Sequence, residues 1–197
     1  MTTGRPRATS RDTIAEAACE LFLECGFDAT TIADITQRAG VSRSSFFNYF
    51  TSKSDVLWAG LDERIAGVER ALADAPLSAA AQGDPAASVA SALRAVGEGF
   101  APDSLALALG NAHAMGLAHL LEREAGARRA RIGALVARRL QASGIDAIEA
   151  EVAGAAYAGA VLASIAAWAD AGAGQTPLAP LLERALHAAA STLPATQ

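Results

Sequence analysis

Lysine is nearly missing from this chain: Lys53 is the only one, and arginine supplies every other basic residue. Cysteine is confined to Cys19 and Cys25. On a helix that offset separates them by roughly 240°, which excludes a local metal or redox pair and leaves two buried thiols as the expectation. Histidine is limited to His113, His119 and His187, too few and too scattered for a metal-spaced cluster. No Gly-x-Ser-x-Gly elbow and no phosphate-cradling glycine loop occurs, so no metal, no cofactor and no enzyme activity are expected. Every apolar run is broken by charge or glycine short of the ~20 residues of a membrane span. The stretch to Arg11 carries Arg5, Arg7 and Arg11 but leads into an amphipathic segment with acids, unlike a signal peptide. A cytoplasmic protein is expected.

What the chain does have is alanine. Hydrophobic residues make up 52% of its 197 residues, enough for a sizeable core. Ala has the highest helix propensity, and the strand formers Val, Ile and Thr are sparse, so an all-α fold is expected. The net charge of −5 argues against nucleic acid only if the charge is evenly spread. It is not: up to residue 53 six bases face six acids, leaving ten bases against fifteen acids beyond, so a local basic surface remains possible near the N-terminus.

Periodicity sets out the elements. Thr9 or Ser10 caps a helix with Ile14, Ala17, Ala18, Leu21, Phe22 and Cys25 on one face, ended by Gly26. Thr30 or Thr31 caps a second carrying Ile32, Ile35 and Ala39, stopped by Gly40. Ser42 then caps a third, through Tyr49 or Phe50, and two helices so closely joined through glycine form a helix-turn-helix signature. Phe46 and Phe50 share its packing side, while Arg43, Ser44, Phe47 and Asn48 face elsewhere. Ser52 opens a long helix to about Ala73, followed by a Pro- and Gly-bearing linker, 75–85. Further helices are expected over Ala86–Gly99, Asp103–Asn111, Met115–Gln141, Ala147–Ala171 and Leu178–Leu193.

The block Thr30-Thr31-Ile32-Ala33-Asp34-Ile35, Ala39-Gly40-Val41-Ser42-Arg43-Ser44-Ser45-Phe46-Phe47-Asn48-Tyr49-Phe50-Thr51-Ser52-Lys53-Ser54-Asp55-Val56-Leu57, within Arg11 to Glu63, resembles the DNA-binding domain of the TetR/AcrR regulators. The resemblance implies a three-helix DNA-binding domain with its basic arm over 1–51, then a helical ligand-binding and dimerising domain over 52–197. It also implies a homodimeric transcriptional regulator, usually a repressor. From Phe46 to Trp58 the chain is similar to the mycofactocin-type branch, where long-chain acyl-CoA effectors occur.

A recognition helix in the major groove turns its N-terminal side chains toward base edges, and its neighbours hold phosphate. Arg43 is the best base or phosphate reader, because its fork matches both guanine acceptors, with Ser44, Ser45 and Asn48 as hydrogen-bonding neighbours. Ser42, Thr30 and Thr31 are caps that can also meet phosphate. The family usually has Tyr where Phe47 stands and often His where Tyr49 stands; Phe47 offers a thymine methyl apolar contact, and Tyr49 keeps a phenol for phosphate. Lys53, expected in the first turn of the fourth helix, would find compensation in a phosphate for its unfavourable place on the helix dipole. The alternative is a solvated lysine. Arg5 and Arg7 form an arm suited to a minor groove, or else a solvated tail.

In the larger domain, Ala147–Ala171 strings Gly154, Ala155, Ala158, Gly159, Ala163 and Ala166 along one helix. With Leu178–Leu193 it occupies the family's dimer-forming position. A two-fold dimer implies a palindromic operator on double-stranded DNA. An effector site for a small apolar or amphipathic molecule is expected among Phe100, Leu105, Leu109, Asn111, His113, Met115, Leu117, Tyr157 and Trp168, each of which could instead be plain core. Arg128, Arg129 and Arg131 could meet the phosphates of a coenzyme A, or form a solvated helix face. A DNA-binding regulator with no effector is the alternative.

Overall fold

The computed structural model describes residues 10–74 and 84–193. The arm with Arg5 and Arg7, and positions 75–83 of the expected linker, lie outside the described residues. Among the described residues all regular structure is helical: α1 (Ser10–Cys25), α2 (Ile32–Ala39), α3 (Arg43–Phe47), α4 (Asp55–Asp74), α5 (Pro85–Arg94), α6 (Ser104–Gly110), α7 (Ala118–Ala142), α8 (Ala147–Asp170) and α9 (Ala179–Ala190). Contacts divide the chain into two compact units. The first comprises the residues to Ala59 with Asp103–Ala118, and the second comprises Gly60–Pro102 with the residues from His119 on. The boundary expected after residue 51 thus falls after Ala59, and a segment from mid-chain joins the first unit. Val56, Leu57 and Trp58, in the opening of α4, are buried with that unit's helices.

In the first unit, α1 buries Ile14, Ala17, Ala18, Leu21 and Phe22 as its periodicity requires. Gly26 adopts φ 83°, and its N–H returns to the Phe22 carbonyl, which ends the helix. The two cysteines differ. Cys19 is buried, and burial raises its thiol pKa, whereas Cys25 is exposed, contrary to the expectation of two buried thiols. It shares a face with Leu21 and Phe22 but stands in the last position of α1, past the buried part of that face.

Asp103 caps α6 through the amides of Leu105 and Ala106. Leu105, Ala106 and Ala108 then face inward. The expected helix from Met115 begins only at Ala118, because Gly116 takes a left-handed φ of 69° and a series of turns precedes it. The Met115 carbonyl in those turns accepts the Phe27 N–H at 2.9 Å, fastening the segment beside the end of α1.

In the second unit α8 is the central helix, with Tyr157, Val161, Ile165 and Trp168 buried along it. It is long and apolar enough to cross a membrane by length and composition, which corrects the expectation that no segment is. Its glycines interrupt the sequence without adding polarity. More than half of its most apolar window is buried inside the protein, as in a core helix. It meets α7 at Gly133 and Gly154, where a Cβ on Gly154 would lie 2.5 Å from the Gly133 carbonyl oxygen. On its other side α9 buries Leu182 and Leu186, and Arg94 of α5 grips Glu183 of α9 through two bonds of 2.6 and 2.8 Å. The helix expected to reach Gly99 stops at Arg94; turns follow, and Gly99 lies at φ 58°.

Gly154→Leu should force α7 and α8 apart and cost about 1–3 kcal/mol in denaturant unfolding, the usual penalty of overpacking. Gly126→Ala, on α7 where an added Cβ meets nothing within 4 Å, should instead stabilise the protein by about 0.5–1 kcal/mol.

Candidate nucleic-acid interface

The exposed face of the first unit is built from its turns outward. At the start of α2, the Thr31 side chain accepts the Asp34 amide, and the Asp34 carboxylate accepts the Thr31 N–H at 2.8 Å and its hydroxyl at 2.6 Å. This capping box leaves the Asp34 carboxyl with a lowered pKa, the Thr31 hydroxyl bond being the main cause and the backbone bond the next. Gly40 at φ 66° closes α2 through bonds to Thr36 and Gln37, and Val41 N–H also reaches the Thr36 carbonyl. Two residues after Gly40, Ser42 caps α3 by accepting the Ser45 N–H at 3.1 Å. Its hydroxyl also bonds those of Ser44 and Ser45, each at 2.8 Å.

Helix α3 is shorter than expected, ending at Phe47, with Asn48 and Tyr49 in the following turn. The Tyr49 and Phe50 amides both bond the Phe46 carbonyl, so the turn stays tight. Phe46 and Phe50 are buried with ring centroids 5.6 Å apart. Phe47 presents its ring to solvent and is braced edge-on by Phe46 at 5.4 Å. The Arg43 guanidinium lies 5.7 Å from the Phe47 ring centre, a cation–π pair that pre-orients an exposed cation. Arg43, Ser44, Phe47, Asn48 and Tyr49 therefore share one solvent-facing surface with Ser42 and Thr31 at its border, and Ser45 is half-buried.

Two candidates are placed differently. Thr30 is buried, and its hydroxyl donates to the Gly26 carbonyl at 2.8 Å, so it secures the end of α1 and does not reach the surface. No local pattern chooses between adjacent threonines; the cap at Thr31 turns its neighbour inward. Lys53 lies before α4, not in its first turn. Its ammonium donates to the carbonyls of Phe27 and Thr30 and sits 4.0 Å from the Phe27 ring centre. The compensation expected from a phosphate is supplied first by these carbonyls. Burial lowers the ammonium pKa, with Asp28 opposing.

Arg38 was not among the candidates, yet it ties α2 to α1 by reaching Glu24 at 2.7 Å and Glu20 at 3.2 Å. Its spacing from those acids, 14 and 18 residues, is invisible to helix-periodic reading. Arg11 also lies over Phe50, 5.9 Å from the ring centre.

The expected effector residues are divided between the two units. Leu105, Leu109, Asn111, His113, Met115 and Leu117 belong to the first unit. Leu105, Met115 and Leu117 are core there, His113 is exposed, and Asn111 spends its amide on the Leu107 carbonyl. Phe100, Tyr157 and Trp168 belong to the second unit, where Phe100 meets Trp168 edge-on at 5.2 Å. The Tyr157 hydroxyl is buried without a hydrogen-bond partner in the structure. Of the arginines considered for coenzyme phosphates, Arg128 is committed to Asp62 and Glu124, and Arg131 to Glu69, while Arg129 is exposed. Among the described residues no cluster of His, Cys, Asp or Glu could hold a metal.

Residues 14–59 match the family model of the bacterial regulatory proteins of the tetR family. The chain is 33% identical over 66 residues to a putative mycofactocin biosynthesis transcriptional regulator of Mycobacterium tuberculosis, covering 34% of this chain and 33% of that protein. It is 34% identical over 62 residues to an HTH-type transcriptional repressor of Escherichia coli, covering 32% of this chain and 30% of the repressor. The alignments thus span about a third of these curated relatives' length. Over nearly the whole chain the fold is similar to Thermus thermophilus FadR, a repressor solved with lauroyl-CoA, at 28% identity and TM-score 0.54, covering 95% and 96% of the two chains. It is also similar to the repressor NalD of Pseudomonas aeruginosa, at 19% identity and TM-score 0.61, covering 95% and 98%.

Lys53→Met should destabilise the protein by about 1–3 kcal/mol in denaturant unfolding, because two carbonyls lose a charged donor. Stability should also fall in acid. The Glu24 and Asp34 carboxyls have lowered folded pKa values, Glu24 chiefly through its Arg38 bond, so their contribution is complete above the unfolded pKa and is lost as pH falls through the folded one. Arg38→Ala should flatten the acid limb of the melting-temperature profile.

Proposed function

We propose that this chain, whose residues 14–59 match the family model of the bacterial regulatory proteins of the tetR family, is a homodimeric, ligand-responsive transcriptional repressor that binds a palindromic operator on double-stranded DNA. The observation that carries this reading is the exposed Arg43, stacked on Phe47 at the front of α3 while Phe46 and Phe50 anchor the helix from behind. Arg43 reads a guanine edge, Ser44 and Asn48 add hydrogen bonds, and Phe47 offers its ring to a thymine methyl. Tyr49, Ser42, Ser45 and Thr31 hold backbone phosphate. The ammonium of Lys53 has three donors, two of them bound internally, and the third is directed to a phosphate.

Dimerisation is assigned to the outward face of α8. Ile148 and Val152 are 75% and 54% exposed there, an unusual display for large aliphatic side chains, and Ala155 and Ala163 continue the stripe. Small residues let a second helix approach closely. Two copies related by a two-fold axis would present two recognition helices about one DNA turn, ~34 Å, apart.

The proposed effector is a long-chain acyl-CoA. The support is the 28% identical Thermus relative solved with lauroyl-CoA, together with the apolar second unit and its unpartnered Tyr157 hydroxyl. Arg128 and Arg131, already paired, are not assigned to the coenzyme. For release of DNA the effector must bind the DNA-free conformation more tightly, since equal affinity shifts nothing.

Footprinting on the DNA flanking the protein's own gene should reveal a protected palindrome, and failure to bind any duplex at low ionic strength would overturn the reading. Arg43→Ala should weaken specific binding by about 1–3 kcal/mol and relax preference at one base pair. Val152→Asp should yield monomers by analytical ultracentrifugation and loosen operator binding. Titration calorimetry with lauroyl- and stearoyl-CoA should register binding, and silence from both would dismiss this effector class.

A further inference from the structure

Within the first unit, α1 and α2 enclose an open cavity of about 560 Å³ that contains none of the exposed side chains assigned above to DNA. Its walls follow from helix spacing. Leu21 and Cys25, four apart on α1, form one wall, and Asp34, Gln37 and Arg38, at i, i+3 and i+4 on α2, form the other. Gly26, at φ 83°, turns the chain out of α1, and Ala29 and Thr30 of the connecting loop close the end. Ala29 contributes only a methyl group there, which leaves the space open. The volume lies in the range of small-molecule sites, roughly 300–1,000 Å³, and so does the mixture of apolar wall and a few polar groups.

The charges around the cavity sum to an excess of negative sign. Among the described residues Arg38 is the one cation lining it, and its guanidinium is already spent on Glu24 and Glu20. Asp34 is ionised at neutral pH, its bonds to Thr31 lowering the carboxyl pKa. Both of those bonds end on Oδ2, and Oδ1 accepts none among the described residues. Gln37 is exposed, and its side-chain amide is likewise unengaged among the described residues. Three carboxylates against one guanidinium repel an anion, the phosphates of a coenzyme A included, while Leu21, Cys25 and Ala29 offer apolar contact. The geometry points to a second ligand site, for a small organic cation with an apolar body. Its ammonium or amidinium pairs with Asp34 Oδ1 and the Gln37 side-chain carbonyl, and its ring or short chain lies against Leu21, Cys25 and Ala29. The site requires neither DNA nor an acyl-CoA, so it goes beyond the regulator reading and stands or falls separately from it.

Cys25 reports on occupancy, because it is exposed in the cavity wall while Cys19 is buried and serves as the internal reference. The full chain is alkylated with iodoacetamide, an uncharged reagent, and each cysteine is followed by mass spectrometry. Benzamidine is the probe, with benzyl alcohol and benzoate as its neutral and anionic counterparts. Benzamidine at about four times its dissociation constant should slow alkylation of Cys25 about fivefold, since about a fifth of the sites remain free. Benzyl alcohol and benzoate should leave the rate unchanged. Ala29→Leu, at an exposed position where the larger side chain fills the cavity, should abolish the protection. Asp34→Asn, which keeps an acceptor for the cap but removes the charge, should weaken it, with native helicity of both variants checked by circular dichroism. The proposal is overturned by no slowing with benzamidine at millimolar concentration, or by equal protection from benzoate or benzyl alcohol. Protection that persists undiminished in folded Ala29→Leu or Asp34→Asn overturns it as well.

Discussion

The ammonium of Lys53 is the point on which the helix-turn-helix of the first unit is assembled. By holding the carbonyls of Phe27 and Thr30 it fastens the turn before α4 to the loop between α1 and α2. Helices α2 and α3 are the chain enclosed by that closure. With the loop ends fixed, the short α3 needs little intrinsic stability, and at five residues it has little, since isolated helices of that length do not persist in water. Phe46 and Phe50 then complete the anchoring by burial, and the presentation of Arg43 follows from the position of the helix.

The arginines divide by task in a way that the overall acidity conceals. Arg38, Arg94, Arg128 and Arg131 are each matched to carboxylates of another helix, and Arg64 to backbone carbonyls. The exposed pairs among them add little stability singly, and the part-buried pair of Arg128 with Asp62 joins α7 to α4. Arg43 is turned outward instead, with an aromatic ring beneath it. A net charge of −5 is thus compatible with a nucleic-acid surface, because most of the acids lie beyond residue 53, in a helical unit where Arg64, Arg94, Arg128 and Arg131 are engaged in packing.

Much of the fold was legible from local physics. The apolar stripe of α1, the capping of α2 by Thr31 and of α3 by Ser42, and the glycine stops at 26 and 40 are all contained within a turn or two of chain. So is the outward set around Arg43, since four-residue spacing alone separates it from Phe46 and Phe50. Less legible were features set by contacts distant in sequence. Periodicity cannot tell that Leu105, Met115 and Leu117 pack with the first unit, or that α6 is recruited there across more than forty intervening residues.

An all-helical chain with a helix-turn-helix in its first unit follows from helix propensity, capping and glycine stops, which act between near neighbours. That Thr30 turns inward, that Lys53 is occupied by carbonyls, that Cys25 is exposed and that Arg64 grips the turns after α5 are outcomes of packing between distant segments. Each of those outcomes depends on which groups converge in space to satisfy a donor or fill a core, and no local pattern encodes that convergence.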